Sequence, residues 1–93
     1  MRALKVENYG DAPVLVECDI PKPAKGELLV RIAACGLNFA DLLMIQGRYQ
    51  ERPPLPVTLG MELAGTVEAA GPGTDATLVG QRVAVFAGSG GLA

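Results

Sequence analysis

Glycine and proline interrupt this chain so often that few segments can become regular elements of any length: twelve glycines and seven prolines stand among 93 residues. Proline removes a backbone donor and glycine favours turns, so the chain reads as short extended pieces between turns. Ala3 to Glu7 and Val14 to Glu17 alternate as the two strands of a hairpin around Asn8 to Pro13. After the connector Pro21 to Gly26, Glu27 to Ala34 is rich in Leu, Val and Ile and is expected as a central strand. Only Asn38 to Gln46 changes period. There Phe39, Leu42, Leu43, Met44 and Ile45 form an apolar stripe, with Asn38 as N-cap and Gly47 as the stop. Glu51 to Pro56 is expected as a surface loop, and Met61 to Ala70 and Arg82 to Phe86 as further strands joined through Gly71 to Asp75 and Gly80-Gln81. Many short strands with one helix predict a mainly β, barrel-like domain.

A hydrophobic fraction of 49% suffices for one small core. Eight basic against ten acidic residues, with no basic stripe, give nucleic acid no electrostatic footing. Polar residues break the amino terminus too early for a signal peptide, and no later run approaches about 18 apolar residues, so no membrane association is expected. Cys18 and Cys35 form no CxxC motif or disulfide framework, which fits free thiols in the cytoplasm. The chain contains no histidine, which excludes Ser-His and Cys-His pairs and the commonest zinc ligand. Gly88 to Ala93 reads as a loop leading nowhere, the mark of a chain cut short. Its G-x-G-x-x-A pattern lacks the following helix and acidic residue of a dinucleotide site, so it receives no cofactor role.

The run Gly36-Leu37-Asn38-Phe39-Ala40-Asp41, followed by Pro56 to Val67 with its Gly60-Met61-Glu62-Leu63-Ala64-Gly65 signature, resembles the medium-chain dehydrogenase/reductase superfamily. From Asn38 through Gln46-Gly47-Arg48-Tyr49 to Gly71 it is similar to the zinc-independent NADPH:quinone oxidoreductases, the zeta-crystallin-like branch. The resemblance implies a GroES-like, partly open β-barrel over residues 1–93, a catalytic domain truncated at its C-terminus, with the Rossmann domain missing. It implies a cytoplasmic, homodimeric parent enzyme passing hydride from NADPH, with NADH possible, to a small quinone or enone; the fragment alone is expected to be inactive. Two alternatives stand beside it: an enoyl-thioester or acryloyl-type reductase of the same superfamily, and a non-enzymatic GroES-like interaction module.

Zinc-dependent relatives place a cysteine where Asn38 stands and a histidine where Met61 stands, so no metal is expected. Ala40 replaces their proton-passing hydroxyl residue, which disfavours alcohol oxidation. Without a Lewis acid the hydride acceptor must spread the developing charge itself, as a quinone or conjugated enone does. Asn38 is the first candidate: its amide is implied to bond the nicotinamide or the acceptor oxygen, while its backbone position also suits a helix cap. Asp41 fits the far arm of a capping box. Tyr49 matches a family tyrosine near the nicotinamide and is the candidate proton donor, against the alternative of a packed loop tyrosine. Leu43 stands where some relatives have another tyrosine, and with Met61 is assigned to the substrate pocket. Glu62 reads either as a hydrogen-bond acceptor facing the cleft or as an ordinary ion-paired glutamate. Gly60 and Gly65 mark tight backbone passages. Cys35 reads as a buried, inert thiol rather than a reactive one.

Overall fold

Two three-stranded antiparallel sheets carry the chain in the computed structural model, which describes residues 1–50 and 52–93. Strand β1 (Arg2–Val6) pairs with β2 (Val14–Glu17) from Arg2 opposite Glu17 to Lys5 opposite Val14, the expected hairpin. The other edge of β1 takes β4 (Val57–Thr58), a two-residue strand that the sequence pattern does not announce. The second sheet has the order β3 (Leu28–Gly36), β5 (Glu62–Ala70), β6 (Arg82–Phe86). The sheets do not close on each other, so the mainly β, GroES-like architecture stays open.

Three expectations need correction. The central strand of the second sheet is β5, not the segment Glu27 to Ala34, which lies in the edge strand β3. β3 carries register shifts at Leu29/Val30 and at Ile32/Ala34, irregularities that an edge tolerates. Gly65 of β5 allows β3 to come close: a Cβ there would strike the Arg31 carbonyl of β3. The segment Gly88 to Ala93 is no free loop. The N–H groups of Gly90, Gly91 and Leu92 donate to the carbonyls of Thr58, Gly60 and Leu59, and the Leu92 carbonyl accepts from Leu4 N–H at 2.8 Å. A third correction concerns the helix α1 (Phe39–Gln46). Its limits and caps are as expected, with Asn38 extended before it and Gly47 left-handed after it at φ 70°. Its apolar stripe, however, does not face inward as a whole. Phe39 is 73% and Leu42 54% exposed, while Asp41 and Met44 are buried. The buried face carries the Met44 side chain into the core and the Asp41 carboxylate onto the Asn38 and Gly60 N–H groups.

The core is small: Val6, Met44, Val57, Leu59 and Met61 form one cluster, flanked by half-buried Leu4, Tyr9, Ala40, Ile45, Tyr49 and Leu92. Burying one such large apolar side chain stabilises the fold by about 1.5–3 kcal/mol. The cluster joins the first sheet, α1 and the passage from β4 to β5, and so fixes where α1 leaves β3. Of the Glu51 to Pro56 loop, Glu51 lies outside the described residues. Beyond it Arg52 stands over the Tyr9 ring at 4.9 Å, and the Tyr9 hydroxyl donates to the Pro53 carbonyl at 2.8 Å. Between β5 and β6, Asp75 caps a single 3-10 turn (Ala76–Leu78), its Oδ1 accepting from the Thr77 N–H at 2.9 Å and the Thr77 hydroxyl at 2.6 Å.

Candidate functional site

Register decides which side chains meet at the end of the second sheet. Gly36, Glu62 and Phe86 form one row across β3, β5 and β6; Cys35, Leu63 and Val85 form the next; Ala34, Ala64 and Ala84 the third. Directly opposed residues share a face and successive residues alternate, so the alanine row and the Gly36–Glu62–Phe86 row lie on the same face. Side chains of these two rows, over the backbone of the middle row, line an open groove of about 670 Å³. Its floor is shallow because alanine and glycine supply it. Its walls are the Glu62 carboxylate and the Phe86 ring, which is 82% exposed. A flat, largely apolar floor with one acceptor at the rim suits a planar ring that carries hydrogen-bonding substituents.

Asn38 reaches this rim from the start of α1. Its Nδ2 donates to Glu62 Oε2 at 3.4 Å, a long bond that leaves both groups able to engage a ligand. Glu62 forms no ion pair among the described residues, and it lines the groove while accepting from Asn38. Asp41 completes the capping box by accepting from the Asn38 N–H at 3.0 Å, and its other oxygen accepts from the Gly60 N–H at 3.1 Å.

Tyr49 is placed elsewhere. It packs, half-buried, against the core cluster beyond Gly47, at the far end of a helix about 12 Å long. The structure therefore does not bring Tyr49 into contact with Asn38, and its hydroxyl has no hydrogen-bond partner among the described residues. Met61 is 3% exposed and belongs to the core cluster. Leu43 is half-buried, and its carbonyl accepts from Arg48 N–H at 2.8 Å. Neither residue lines the groove.

Cys35 occupies the opposite face. Its sulfur sits so close to Gly60 and Gly91 that a Cβ on either would approach it to 2.8 or 2.7 Å. Burial first, then the Asp41 and Glu62 carboxylates, push its thiol above the usual 9.0. That is the opposite of an activated nucleophile, and it agrees with the reading of an inert thiol. Among the described residues no three of His, Cys, Asp and Glu gather where they can hold a metal ion. The Phe86 wall and the alanine floor escape sequence reasoning because only cross-strand register assembles them.

The fold is an open pair of antiparallel sheets with a capped helix leading off β3, and residues 24–91 match the family described as the alcohol dehydrogenase GroES-like domain. The chain belongs to that family, within the medium-chain dehydrogenase/reductase superfamily. Among its relatives, the human synaptic vesicle membrane protein VAT-1 homolog is 54% identical over 70 residues, which cover 75% of this chain and 18% of that protein. Rat quinone oxidoreductase is 37% identical across 100% of this chain and 30% of its own length. The quinone oxidoreductase of Thermus thermophilus, solved alone and with NADPH, superposes with a TM-score of 0.83 at 38% identity, covering 100% of this chain and 28% of that one. The chain thus spans less than a third of the length of these relatives. The likeness expected from the Gly36 to Asp41 and Pro56 to Val67 runs is met.

Proposed function

We propose that these 93 residues serve as the GroES-like catalytic domain of an NADPH-dependent quinone oxidoreductase that works without zinc, its Rossmann domain lying outside them. The observation that carries this reading is the groove itself: a flat floor from Ala34, Ala64 and Ala84, bordered by Glu62 and by the Asn38 amide. Relatives described as quinone oxidoreductases, one of them as an NADPH complex, support the same reaction. The donor set supports the absence of zinc, since Asn38 presents an amide and the Met61 thioether is buried in the core.

The groove fits a nicotinamide ring on the chemistry of its lining. When bound, that group supplies the hydride. Glu62 would accept from the carboxamide, and Asn38, held by its cap, would donate to the acceptor oxygen and favour the charge that develops there. Tyr49 remains the candidate proton donor in this scheme, through a position that the GroES-like portion alone does not bring to the groove. A small quinone or enone as acceptor, a homodimer and a cytoplasmic location belong to the same proposal. Among the described residues no helix is long and apolar enough to cross a membrane.

Quinone-dependent NADPH oxidation by the whole polypeptide tests the reading. Asn38→Ala should lower kcat by about tenfold to a hundredfold, the loss of one donor at a developing oxyanion. Ala64→Phe, which fills the floor, should raise KM for both substrates. A wild-type polypeptide without quinone-dependent oxidation, or one whose rate ignores both substitutions, contradicts the proposal.

A further inference from the structure

We propose that Asp41 is a positioning residue whose two carboxylate oxygens lock the N-terminus of α1 to the turn at Gly60, and so set the separation of Asn38 and Glu62 at the groove. The inference rests on the functional reading above only in taking Asn38 and Glu62 as site residues. Among the described residues Asp41 is the one buried charged side chain, 5% exposed, and no cation pairs with it. A buried carboxylate needs compensation, and here two backbone donors supply it. Oδ2 accepts from the Asn38 N–H at 3.0 Å, which an ordinary capping box requires. Oδ1 reaches a different segment and accepts from the Gly60 N–H at 3.1 Å, which no capping box requires.

The geometry at Gly60 makes that second bond specific. Gly60 has φ +101°, a conformation that favours glycine, and a Cβ there would meet Leu92 N at 2.6 Å and Cys35 Sγ at 2.8 Å. Its amide is therefore held in a fixed direction by its surroundings. Asn38 carries one of the clamped amides itself, and Glu62 follows the other by two residues. One side chain thus ties together the two backbone segments that carry the amide and the carboxylate meeting at 3.4 Å. Asparagine at position 41 has the same shape but one acceptor oxygen, so it can satisfy one of the two N–H groups and turns an NH2 donor against the other.

NMR on the whole polypeptide that carries these residues tests this without any turnover. In the wild type, the Asn38 and Gly60 backbone amides should be protected from hydrogen exchange to within about threefold of each other, because one side chain holds both. In Asp41→Asn, protection of at least one should fall by about tenfold, and the nuclear Overhauser contact between the Asn38 side-chain amide and the Glu62 side chain should disappear. Strand amides of β5 and β6 should keep their shifts, and Asp75→Asn, which removes a carboxylate from another cap, should leave the Asn38 contact intact. An Asp41→Asn chain that is folded and retains the Asn38–Glu62 contact overturns the proposal. If Asp41→Asn does not fold, the wild type decides: matched protection supports the clamp, and protection that differs by more than about tenfold removes it. A clamp found in a polypeptide that reduces no quinone leaves this inference standing while the functional reading fails.

Discussion

At the scale of single residues, the groove end of the second sheet is an electrostatically uneven place. Burial of the Cys35 thiol, and after it the nearby Asp41 and Glu62 carboxylates, make the folded chain hold the Cys35 proton more tightly than the unfolded chain does. Above the usual 9.0 the unfolded state releases that proton while the native state still keeps it. The unfolded state then binds fewer protons, and stability falls as pH rises. Urea midpoints should therefore decline more steeply as pH rises past the usual 9.0 in the wild type than in Cys35→Ser. Equal slopes would show that the thiol is not perturbed. Cys35 should also be alkylated more slowly than Cys18 at neutral pH, since the thiolate is the reactive form.

At the scale of elements, α1 shows what a sequence pattern can and cannot convey. Its limits were legible because capping is local: Asn38, Asp41 and Gly47 lie within the element or beside it, and their chemistry does not depend on distant strands. Its orientation was not. Phe39 and Leu42 look like core residues by spacing, yet the buried face holds Met44 and Asp41, whose second partner is Gly60, nineteen positions away. The same limit explains β3, whose Leu, Val and Ile content resembles a central strand although only half-burial at an edge is required of it. The orientation yields a sharp contrast. Met44→Ala should destabilise the chain by about 2–5 kcal/mol by leaving a cavity in the core. Leu42→Ala, one helix face away, should stay within about 0.5 kcal/mol. Thermal or urea unfolding of the two variants separates the cases, and equal losses would place Leu42 inside.

At the scale of the whole molecule, the 93 residues are extended for their number, measuring 41 × 23 × 21 Å with a radius of gyration of 13.7 Å against about 12 Å for a compact chain of this length. Large apolar side chains remain at the surface, among them Leu37, Phe39 and, at the groove, Phe86. The family was legible in the sequence because its motifs are contiguous runs, Gly36 to Asp41 and Gly60 to Gly65. The groove was legible only in part, since Asn38 announces itself by motif whereas the alanine floor and Phe86 arise from pairing among β3, β5 and β6. The docking of Gly90 to Leu92 on Leu4 and Thr58 to Gly60 was hidden for the same reason. The central claim is a hydride transfer that depends on this groove and on no metal. It is tested most directly by following NADPH oxidation with a simple quinone by the polypeptide that carries these residues, before and after exhaustive treatment with a zinc chelator. The account predicts quinone-dependent turnover that the chelator leaves unchanged, with no oxidation of simple alcohols; turnover abolished by the chelator and restored by zinc would contradict it.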